Sequence, residues 1–226
     1  MVDEVWFCPC GPRPDKPSLT VSAQERYNMC CVAAFGSLSP DFPVRVTNHE
    51  VVNGAMATYD SLCHLRSHHP DHEFSWVIGS DWLQPDTDIR SWTSKAGVTG
   101  HLMLAEFDFL VAPRTGYDAP NDLSSFGPRF KWMRLPDGFT LAESNASSTE
   151  VRKRAKYTYG RHMHEGSSGL LALVAMDGLV PPAVLAYIIR HKLYKDLAYK
   201  EVMQRTGSLV NMVRALGAAA KSPPSG

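Results

Sequence analysis

The chain has 226 residues, enough for one larger α/β domain or two small ones with a sizeable buried core. Lysine plus arginine equal aspartate plus glutamate at 23 each, so the overall charge gives no indication of nucleic acid or a membrane as a partner. The five cysteines are an odd number without a C-x-x-C pair, which argues against a disulfide framework and is typical of a reduced cytoplasmic or nuclear protein.

Strand and helix signals alternate along the first 150 residues. The predicted elements are a strand over 5–8, a helix over 22–37, a strand over 44–46, a helix over 58–68, a buried strand over 74–78, and strands over 107–112, 130–135 and 139–142. The first helix begins with the capping box Ser22-Ala23-Gln24-Glu25, whose serine hydroxyl is expected to bind an N–H of the first turn. This alternation favours a doubly wound α/β fold with a parallel sheet.

The strand over 74–78 leads directly into Gly79-Ser80-Asp81. Ligands of open parallel sheets gather at the carboxyl ends of the strands, so position alone makes Asp81 a site candidate. An aspartate in an ordinary turn after a strand is the alternative, and the sequence does not decide between the two.

Three consecutive hydroxyl residues, Ser147-Ser148-Thr149, precede another predicted helix, and Arg152 follows one turn inside it. The exposed N–H groups and the dipole of a helix N-terminus attract anions, and an arginine adds a fork of donors that matches phosphate oxygens. An ordinary capped surface helix is the alternative. The basic run over 152–156 is too short to indicate nucleic acid beyond a phosphate site.

The end of the chain is predicted to be mostly helical. Helices are expected over 182–194 and 199–216, and the small polar residues 217–226 are expected to be disordered. The most apolar run, 169–189, contains Asp177 and Pro181-Pro182, which excludes a plain membrane-spanning helix. No charged-then-apolar leader opens the chain, so we expect no secretory signal.

Taken in order, these pieces resemble the nicotinamide/nicotinate mononucleotide adenylyltransferases, which make NAD or its deamido form from ATP and the mononucleotide. The matching segments are Val5–Pro9, Lys16, Glu25–Met29, Thr58–Leu62, Gly79–Asp81, Trp92, Leu110–Arg114, Ser147–Arg152 and Leu179–Tyr194. The resemblance implies a Rossmann-like nucleotidyltransferase domain over 1–195, an additional C-terminal helix over 196–216 and a disordered tail over 217–226.

One departure from the family pattern affects both fold and chemistry. The family opens with a strand and a G-x-F-x-P-x-H-x-G-H block, whose histidines contact the ATP phosphates, and that block should precede Val5. No histidine here has the H-x-G-H spacing, so we carry that role onto no residue and name no catalytic residue. The first strand is central in this fold, so we expect an unfilled central position and a truncated gene model or fragment.

The resemblance implies a role for each matched residue. The ATP phosphates would be bound by Lys16, Ser148, Thr149 and Arg152, with Mg²⁺ accompanying ATP and no metal site on the protein itself. The mononucleotide would be bound by Thr58, Gly79, Asp81, Trp92 and Arg114. Within this second set, Trp92 would stack on the pyridine ring and Asp81 would accept hydrogen bonds from ribose hydroxyls.

Several candidates keep a purely structural alternative. Thr58 also fits the N-cap of its helix, which is the role we favour for it, whereas Trp92 also fits a core residue and Arg114 a surface cation. Lys16 also fits a solvated lysine. The cluster His64, His68, His69 and His72 has helical spacing that suits a metal, but it lies at a helix end beside a proline, so we predict solvated histidines.

Three functions stay open at this point. The first is a mononucleotide adenylyltransferase. The second is another nucleotidyltransferase of the same fold, such as a pantetheine-phosphate or cytidylyl enzyme, and Trp92 and the L-V-P…L-Y ending speak against it. The third is a noncatalytic protein that keeps the mononucleotide pocket. The preference for amide or acid mononucleotide and the formation of a homo-oligomer stay open as well.

Overall fold

The computed structural model describes residues 2–14, 16, 19–37, 43–114, 116–117, 122–134, 137–138, 147–162 and 175–194. The helices are α1 (Ala23–Ser37), α2 (His49–Asn53), α3 (Thr58–His68), α4 (Gly100–Glu106), α5 (Ser148–His162) and α6 (Pro182–Arg190). The strands are β1 (Val5–Phe7), β2 (Val44–Val46), β3 (Ser75–Gly79), β4 (Thr93–Ser94), β5 (Gly97–Val98), β6 (Asp108–Ala112) and β7 (Phe130–Trp132).

The chain divides into two compact units. The first unit comprises Met1–Pro9, Arg13–Asn48 and Asn145–Gly226, and the second comprises Cys10–Pro12 and His49–Ser144. Strands β1 and β2 therefore belong to the first unit with α1, α5 and α6. The second unit holds all the other strands and helices.

The first unit contains a two-stranded parallel sheet, in which Val5 of β1 lies opposite Val44 of β2. Helix α1 begins as predicted, because the Ser22 hydroxyl accepts a hydrogen bond from the Glu25 N–H at 3.2 Å. The core of the first unit consists of buried residues from α5, α6 and the segment before α6, namely Val151, Ala155, Met176, Val184, Leu185 and Ile188. Burying each large apolar side chain contributes about 1.5–3 kcal/mol, so this cluster anchors α5.

A polar contact also joins α1 to α6. The Tyr187 hydroxyl donates to Glu25 Oε2 at 2.7 Å and accepts from Asn28 Nδ2 at 2.8 Å. Both Glu25–Met29 and Leu179–Tyr194, two of the segments that match the family, thus contribute to packing within the first unit. Helix α6 ends at Arg190 and not at Tyr194 as predicted, because Lys192 and Tyr194 have φ of 53° and 68°, a left-handed conformation that a helix cannot contain.

The second unit is built on a three-stranded parallel sheet with the order β3-β6-β7. Val77 of β3 lies opposite Leu110 of β6, which in turn lies opposite Lys131 of β7. Strands β4 and β5 form a small antiparallel hairpin. The buried core of this unit is Leu62, Ile78, Leu83, Ile89, Met103, Phe107, Phe109, Val111, Leu123, Phe126 and Phe130.

Several predicted boundaries differ from the structure. Strands β3 and β6 run over 75–79 and 108–112, so each begins one residue later than predicted, and β7 ends at Trp132. Helices α2 and α4 and the β4–β5 hairpin were not predicted. The predicted strand over 139–142, the helix over 199–216 and the tail over 217–226 lie outside the described residues.

The prediction of a fully buried strand at β3 is wrong for one of its faces. Ile78 is buried, whereas Val77 is 57% exposed. Within the described ranges the sheets β1-β2 and β3-β6-β7 share no strand.

The parallel sheets and their helices confirm the predicted α/β class. Among the helices that the structure describes, none combines the length and apolar character needed to cross a bilayer.

Candidate active site

The carboxyl end of β3 brings together four residues that we call the strand-end cluster: Gly79, Ser80, Asp81 and Arg114. The fully buried Ser80 hydroxyl accepts a hydrogen bond from the Arg114 backbone N–H at 2.9 Å, which ties the end of β3 to the end of β6. The Arg114 guanidinium donates to Asp81 Oδ2 at 2.6 Å. The two candidates from the sequence are therefore a charge-assisted pair.

The second carboxylate oxygen of Asp81 has no partner within the described residues. Asp81 Oδ1 is buried and forms no hydrogen bond there, although the Asp81 side chain as a whole is 18% exposed. A buried acceptor without a donor costs free energy, about 1–3 kcal/mol, and such atoms are rare in native structures. This oxygen is an uncommitted acceptor, and because it lies against Gly79, a ligand would reach it after a rotation of the Asp81 side chain.

Position 79 has no room for a residue larger than glycine. A Cβ atom built on Gly79 would lie 2.2 Å from Asp81 Oδ1, well inside van der Waals contact. The aspartate side chain folds back onto the strand end and occupies this space. The glycine therefore belongs to the cluster through close approach rather than through a special backbone angle.

Trp92 is held from several sides after the short 3₁₀ turn Ile89–Ser91. Its backbone N–H donates to the Ile89 carbonyl at 3.1 Å, and its indole Nε1 donates to the Thr87 carbonyl at 3.3 Å. The Trp82 ring meets the Trp92 ring nearly at right angles, 82°, with centroids 4.8 Å apart. Trp92 also packs against the core of the second unit, so it is partly buried in a fixed orientation.

Thr58 is the first residue of α3, and the N-cap position belongs to Ala57. The prediction that Thr58 caps its own helix is therefore wrong. Ala57, as an alanine, provides no side-chain cap hydrogen bond. Its proposed contact with the pyridine substituent stays a prediction.

The start of α5 forms a second group that we call the helix-start cluster: Ser147, Ser148, Thr149 and Arg152. Ser147 is the cap, because its hydroxyl accepts from the Glu150 N–H at 3.1 Å. Ser148 and Thr149 are exposed residues of the first turn, and Thr149 Oγ1 accepts from the Arg152 guanidinium at 3.1 Å. The remaining N–H groups at the start of the helix, which the cap does not bind, point away from the helix body.

The basic residues of this helix have different partners. Glu150 pairs with Lys153 at 3.3 Å and with Arg154 at 2.7 Å, and both contacts lower the pKa of its carboxyl. Arg152 forms no ion pair with a carboxylate in the described part of the chain. Lys153 and Arg154 thus share one carboxylate, whereas the guanidinium of Arg152 has no carboxylate partner among the described residues.

Lys16 lies in the first unit in a turn that its backbone closes on both sides. Its N–H donates to the Arg13 carbonyl at 3.0 Å, and its carbonyl accepts from the Leu19 N–H at 2.9 Å. The side chain is exposed and forms no ion pair within the residues described. Lys16 therefore offers an exposed positive charge, as expected for a phosphate-binding or a solvated lysine.

The histidines of α2 and α3 stack on one another. The rings of His64 and His68 lie 3.9 Å apart, and His49 stacks on His64 at 5.5 Å. His49 is buried, and its Nε2 lies 2.6 Å from Ser61 Oγ. No group of three or more His, Cys, Asp or Glu in the described ranges has the geometry to hold a metal ion. This part of the second unit is a packed histidine stack.

Sequence reasoning missed Ser80 and Thr87 as residues that hold the site together. Ser80 stands between two recognised motif residues, and its small polar side chain in a sheet-end position is the signal that was available. Thr87 lies in a turn rich in Pro and Asp, where a threonine carries no distinguishing pattern.

The amino-acid sequence is similar to those of known proteins. The chain is 30% identical over 195 residues to a probable nicotinate-nucleotide adenylyltransferase of Clavibacter michiganensis subsp. michiganensis, covering 86% of this chain and 80% of the relative. It is 29% identical over 197 residues to a probable nicotinate-nucleotide adenylyltransferase of Corynebacterium jeikeium, covering 85% and 86%. No family model matches the chain.

Solved structures agree on the fold. The nicotinic acid mononucleotide adenylyltransferase of Plasmodium falciparum complexed with NaAD superposes with a TM-score of 0.61 at 21% identity, covering 85% of this chain and 83% of the other. The same protein complexed with APC gives a TM-score of 0.59 at 22% identity. The similarity to solved structures shows the shared Rossmann-like fold, and the sequence similarity shows the relationship: the chain belongs to the nicotinate-nucleotide adenylyltransferase family.

Proposed function

We propose that this protein transfers the adenylyl group of ATP to nicotinate mononucleotide, giving deamido-NAD and pyrophosphate. The observation that carries the proposal is the unpartnered, buried oxygen of Asp81 beside Arg114 at the carboxyl edge of a parallel sheet. The relatives are named for the nicotinate substrate, which favours the acid over the amide as acceptor.

The strand-end cluster and Trp92 would bind the mononucleotide. The free oxygen of Asp81 would accept hydrogen bonds from the ribose hydroxyls, while Arg114 keeps the carboxylate oriented. Trp92 is partly buried against the core, and the exposed part of its indole would stack on the pyridine ring. Thr58 would contact the pyridine substituent.

The helix-start cluster and Lys16 would bind the ATP phosphates. The N–H groups of Ser148 and Thr149 and the uncommitted guanidinium of Arg152 are suitable donors for phosphate oxygens. Mg²⁺ would arrive as the complex with ATP. When bound, the ion offsets the negative charge of the phosphates.

The reaction itself needs no nucleophile from the protein. A 5′-phosphate oxygen of the mononucleotide forms a bond to the α-phosphorus of ATP, and the bond from that phosphorus to the bridging oxygen breaks. The electron pair leaves with pyrophosphate. Catalysis then consists of holding two polyanions in line and offsetting their repulsion, which directed donors and fixed cations accomplish.

The test is an acceptor comparison with the purified full chain, ATP and Mg²⁺. Nicotinate mononucleotide, nicotinamide mononucleotide and pantetheine phosphate are supplied in turn, with CTP replacing ATP in a further arm. We expect pyrophosphate release together with deamido-NAD, detected by chromatography, for the nicotinate acceptor. Turnover with pantetheine phosphate or only with CTP would overturn the proposal.

A binding protein without transfer activity is the second candidate, because the sequence lacks an H-x-G-H motif. It would quench tryptophan fluorescence on addition of mononucleotide but release no pyrophosphate. The same experiment separates the two candidates, since fluorescence reports binding and pyrophosphate reports transfer.

A further inference from the structure

Thr87 connects the two candidate mononucleotide contacts of the second unit. We propose that Thr87 is a positioning residue that fixes Asp81 and Trp92 relative to each other, so that one side chain meets the ribose while the other meets the ring. This inference rests on the proposed function. Thr87 would not touch the ligand itself.

Two hydrogen bonds carry the inference. The hydroxyl of Thr87 donates to the backbone carbonyl of Asp81, and its backbone carbonyl accepts from the indole Nε1 of Trp92 at 3.3 Å. A turn bond from the Thr87 N–H to the Gln84 carbonyl at 3.1 Å fixes the residue between them. One residue is thus bonded to Asp81 on one side and to Trp92 on the other.

The rest of the environment explains why this link matters for Trp92. Bonds from the N–H groups of Thr99 and Gly100 to the Trp92 carbonyl, at 2.9 and 3.0 Å, fix the tryptophan backbone. Packing against the core of the second unit and against the perpendicular Trp82 ring confines the indole, but apolar packing has no hydrogen-bond direction. The bond to the Thr87 carbonyl is the directional contact that selects the ring orientation.

The link also matters for Asp81, whose position follows from its backbone. The backbone of Asp81 belongs to a short 3₁₀ turn, Ser80–Leu83, with few internal hydrogen bonds. The hydroxyl of Thr87 satisfies the Asp81 carbonyl that this turn leaves open. A shift of the turn would move the carboxylate away from Arg114, since their contact is 2.6 Å long.

The experiment compares Thr87→Val with Thr87→Ser. Valine keeps the shape and the backbone carbonyl but removes the hydroxyl donor, whereas serine restores the donor. Thr93→Val is the matched control, because Thr93 is an exposed threonine of the same unit with no side-chain hydrogen bond in the described residues. Steady-state kinetics give KM for mononucleotide, KM for ATP and kcat for each variant.

We expect Thr87→Val to raise KM for the mononucleotide about 5- to 10-fold, the worth of one or two neutral hydrogen bonds, with KM for ATP unchanged. Thr87→Ser is expected to stay within about twofold of the wild type. Equal increases of both KM values, an unchanged KM for mononucleotide, or a serine variant as poor as the valine variant would overturn the inference.

A second measurement is independent of activity. The exchange rate of the Trp92 indole N–H, followed by NMR and assigned with Trp92→Phe, reports its bond to the Thr87 carbonyl in the ligand-free protein. We expect faster exchange in Thr87→Val and wild-type exchange in Thr87→Ser; equal exchange in all three would overturn the link. Absent turnover in the wild type would instead overturn the proposed function and leave this readout valid.

Discussion

The two candidate binding regions of this protein differ in how far their side chains are already committed. In the strand-end cluster, Ser80, Asp81 and Arg114 bond to one another, and a single carboxylate oxygen stays open. In the helix-start cluster, the hydrogen bond of Arg152 within the described residues goes to a hydroxyl of its own helix, and the hydroxyl of Ser148 has no partner there.

The difference matches the ligands proposed for each region. A ribose and an aromatic ring are recognised by direction and shape, which require side chains that are fixed before binding. Phosphates carry several equivalent oxygens and a high charge, so donors of positive charge serve them without a rigid arrangement. The internal hydrogen bonds are therefore found in the strand-end cluster, where the orientation of the side chains is expected to decide binding.

The largest effect is expected from Arg152→Ala. The substitution removes a guanidinium without a carboxylate partner in the described chain, so the fold loses little while the phosphates lose a charged donor. We expect kcat/KM to fall about 100- to 1,000-fold, as for other arginines that offset charge in phosphoryl transfer. Stopped assays of pyrophosphate release measure the change.

Lys153→Ala is the control for that prediction. Lys153 is the next residue of α5, equally cationic, and pairs with Glu150 at 3.3 Å. Its removal is expected to leave kcat/KM within about threefold, since an exposed pair of this kind contributes little. Similar losses in both variants would mean that α5 acts through its overall charge.

Asp81→Asn is expected to act on the other region alone. The amide nitrogen replaces one carboxylate oxygen and cannot accept a hydrogen bond, so either the pair with Arg114 or the ligand contact is lost. We expect KM for the mononucleotide to rise about 10- to 100-fold, the worth of a hydrogen bond to a charged group, with KM for ATP unchanged. Substrate titrations at saturating cosubstrate separate the two values.

Asp108→Asn provides the matched carboxylate control. Asp108 begins β6 and pairs with Arg129 at 3.3 Å, with both side chains nearly half exposed. Losing that solvated pair is expected to leave both KM values unchanged. If Asp108→Asn weakened mononucleotide binding as much as Asp81→Asn, the strand-end cluster would have no special role.

These two regions also show what the sequence could and could not predict. The capped helix start could be predicted from the sequence, because helix caps are local and appear as hydroxyl residues just before a helix. The residue types of the strand-end cluster were readable too. Their mutual bonds were not, since the contact of Ser80 with Arg114 spans 34 positions and depends on strand order.

The missed helices have local causes. Helix α2 has five residues and α4 seven, both too short for a hydrophobic period to appear. Helix α4 also begins with Gly100, a residue that normally weakens a helix prediction. The structure explains that glycine, because a Cβ there would lie 2.2 Å from the Ile89 carbonyl oxygen.

Gly79→Ala tests the close packing within the strand-end cluster and is expected to have a smaller effect. The added methyl group would meet Asp81 Oδ1, the end of a side chain that can rotate away, so the backbone stays in place. We expect KM for the mononucleotide to rise about threefold to tenfold with a loss of stability of about 1 kcal/mol. Kinetics and thermal unfolding measure the two effects.

Gly100→Ala gives the contrasting result. Its added methyl group would meet backbone atoms of Ile89 and Arg90, which cannot rotate away. Stability is therefore expected to fall by more than in Gly79→Ala, about 2–3 kcal/mol. A Gly79→Ala variant that loses as much stability as Gly100→Ala would show that Asp81 is not free to move.

The smallest predicted effect concerns pH and separates the two units again. Burial lowers the pKa of His49 and of His64, and the neighbouring histidines lower it further, while Glu50 acts in the opposite direction on His49. The folded protein therefore binds fewer protons at these sites than the unfolded chain, whose histidines titrate near 6.5. Stability from this stack is complete above that pH and is lost as pH falls below it.

Both histidines belong to α2 and α3 of the second unit, so the acid-induced loss should be local. Hydrogen exchange between pH 7.5 and 5.5, corrected for intrinsic rates, is expected to reveal opening in α2 and α3 before α1 and α6. His49→Gln, which keeps a hydrogen-bonding group near Ser61 but cannot be protonated, is expected to reduce the pH dependence. Equal opening in both units, or an unchanged dependence in His49→Gln, would contradict a histidine stack as the acid-sensitive part of the second unit.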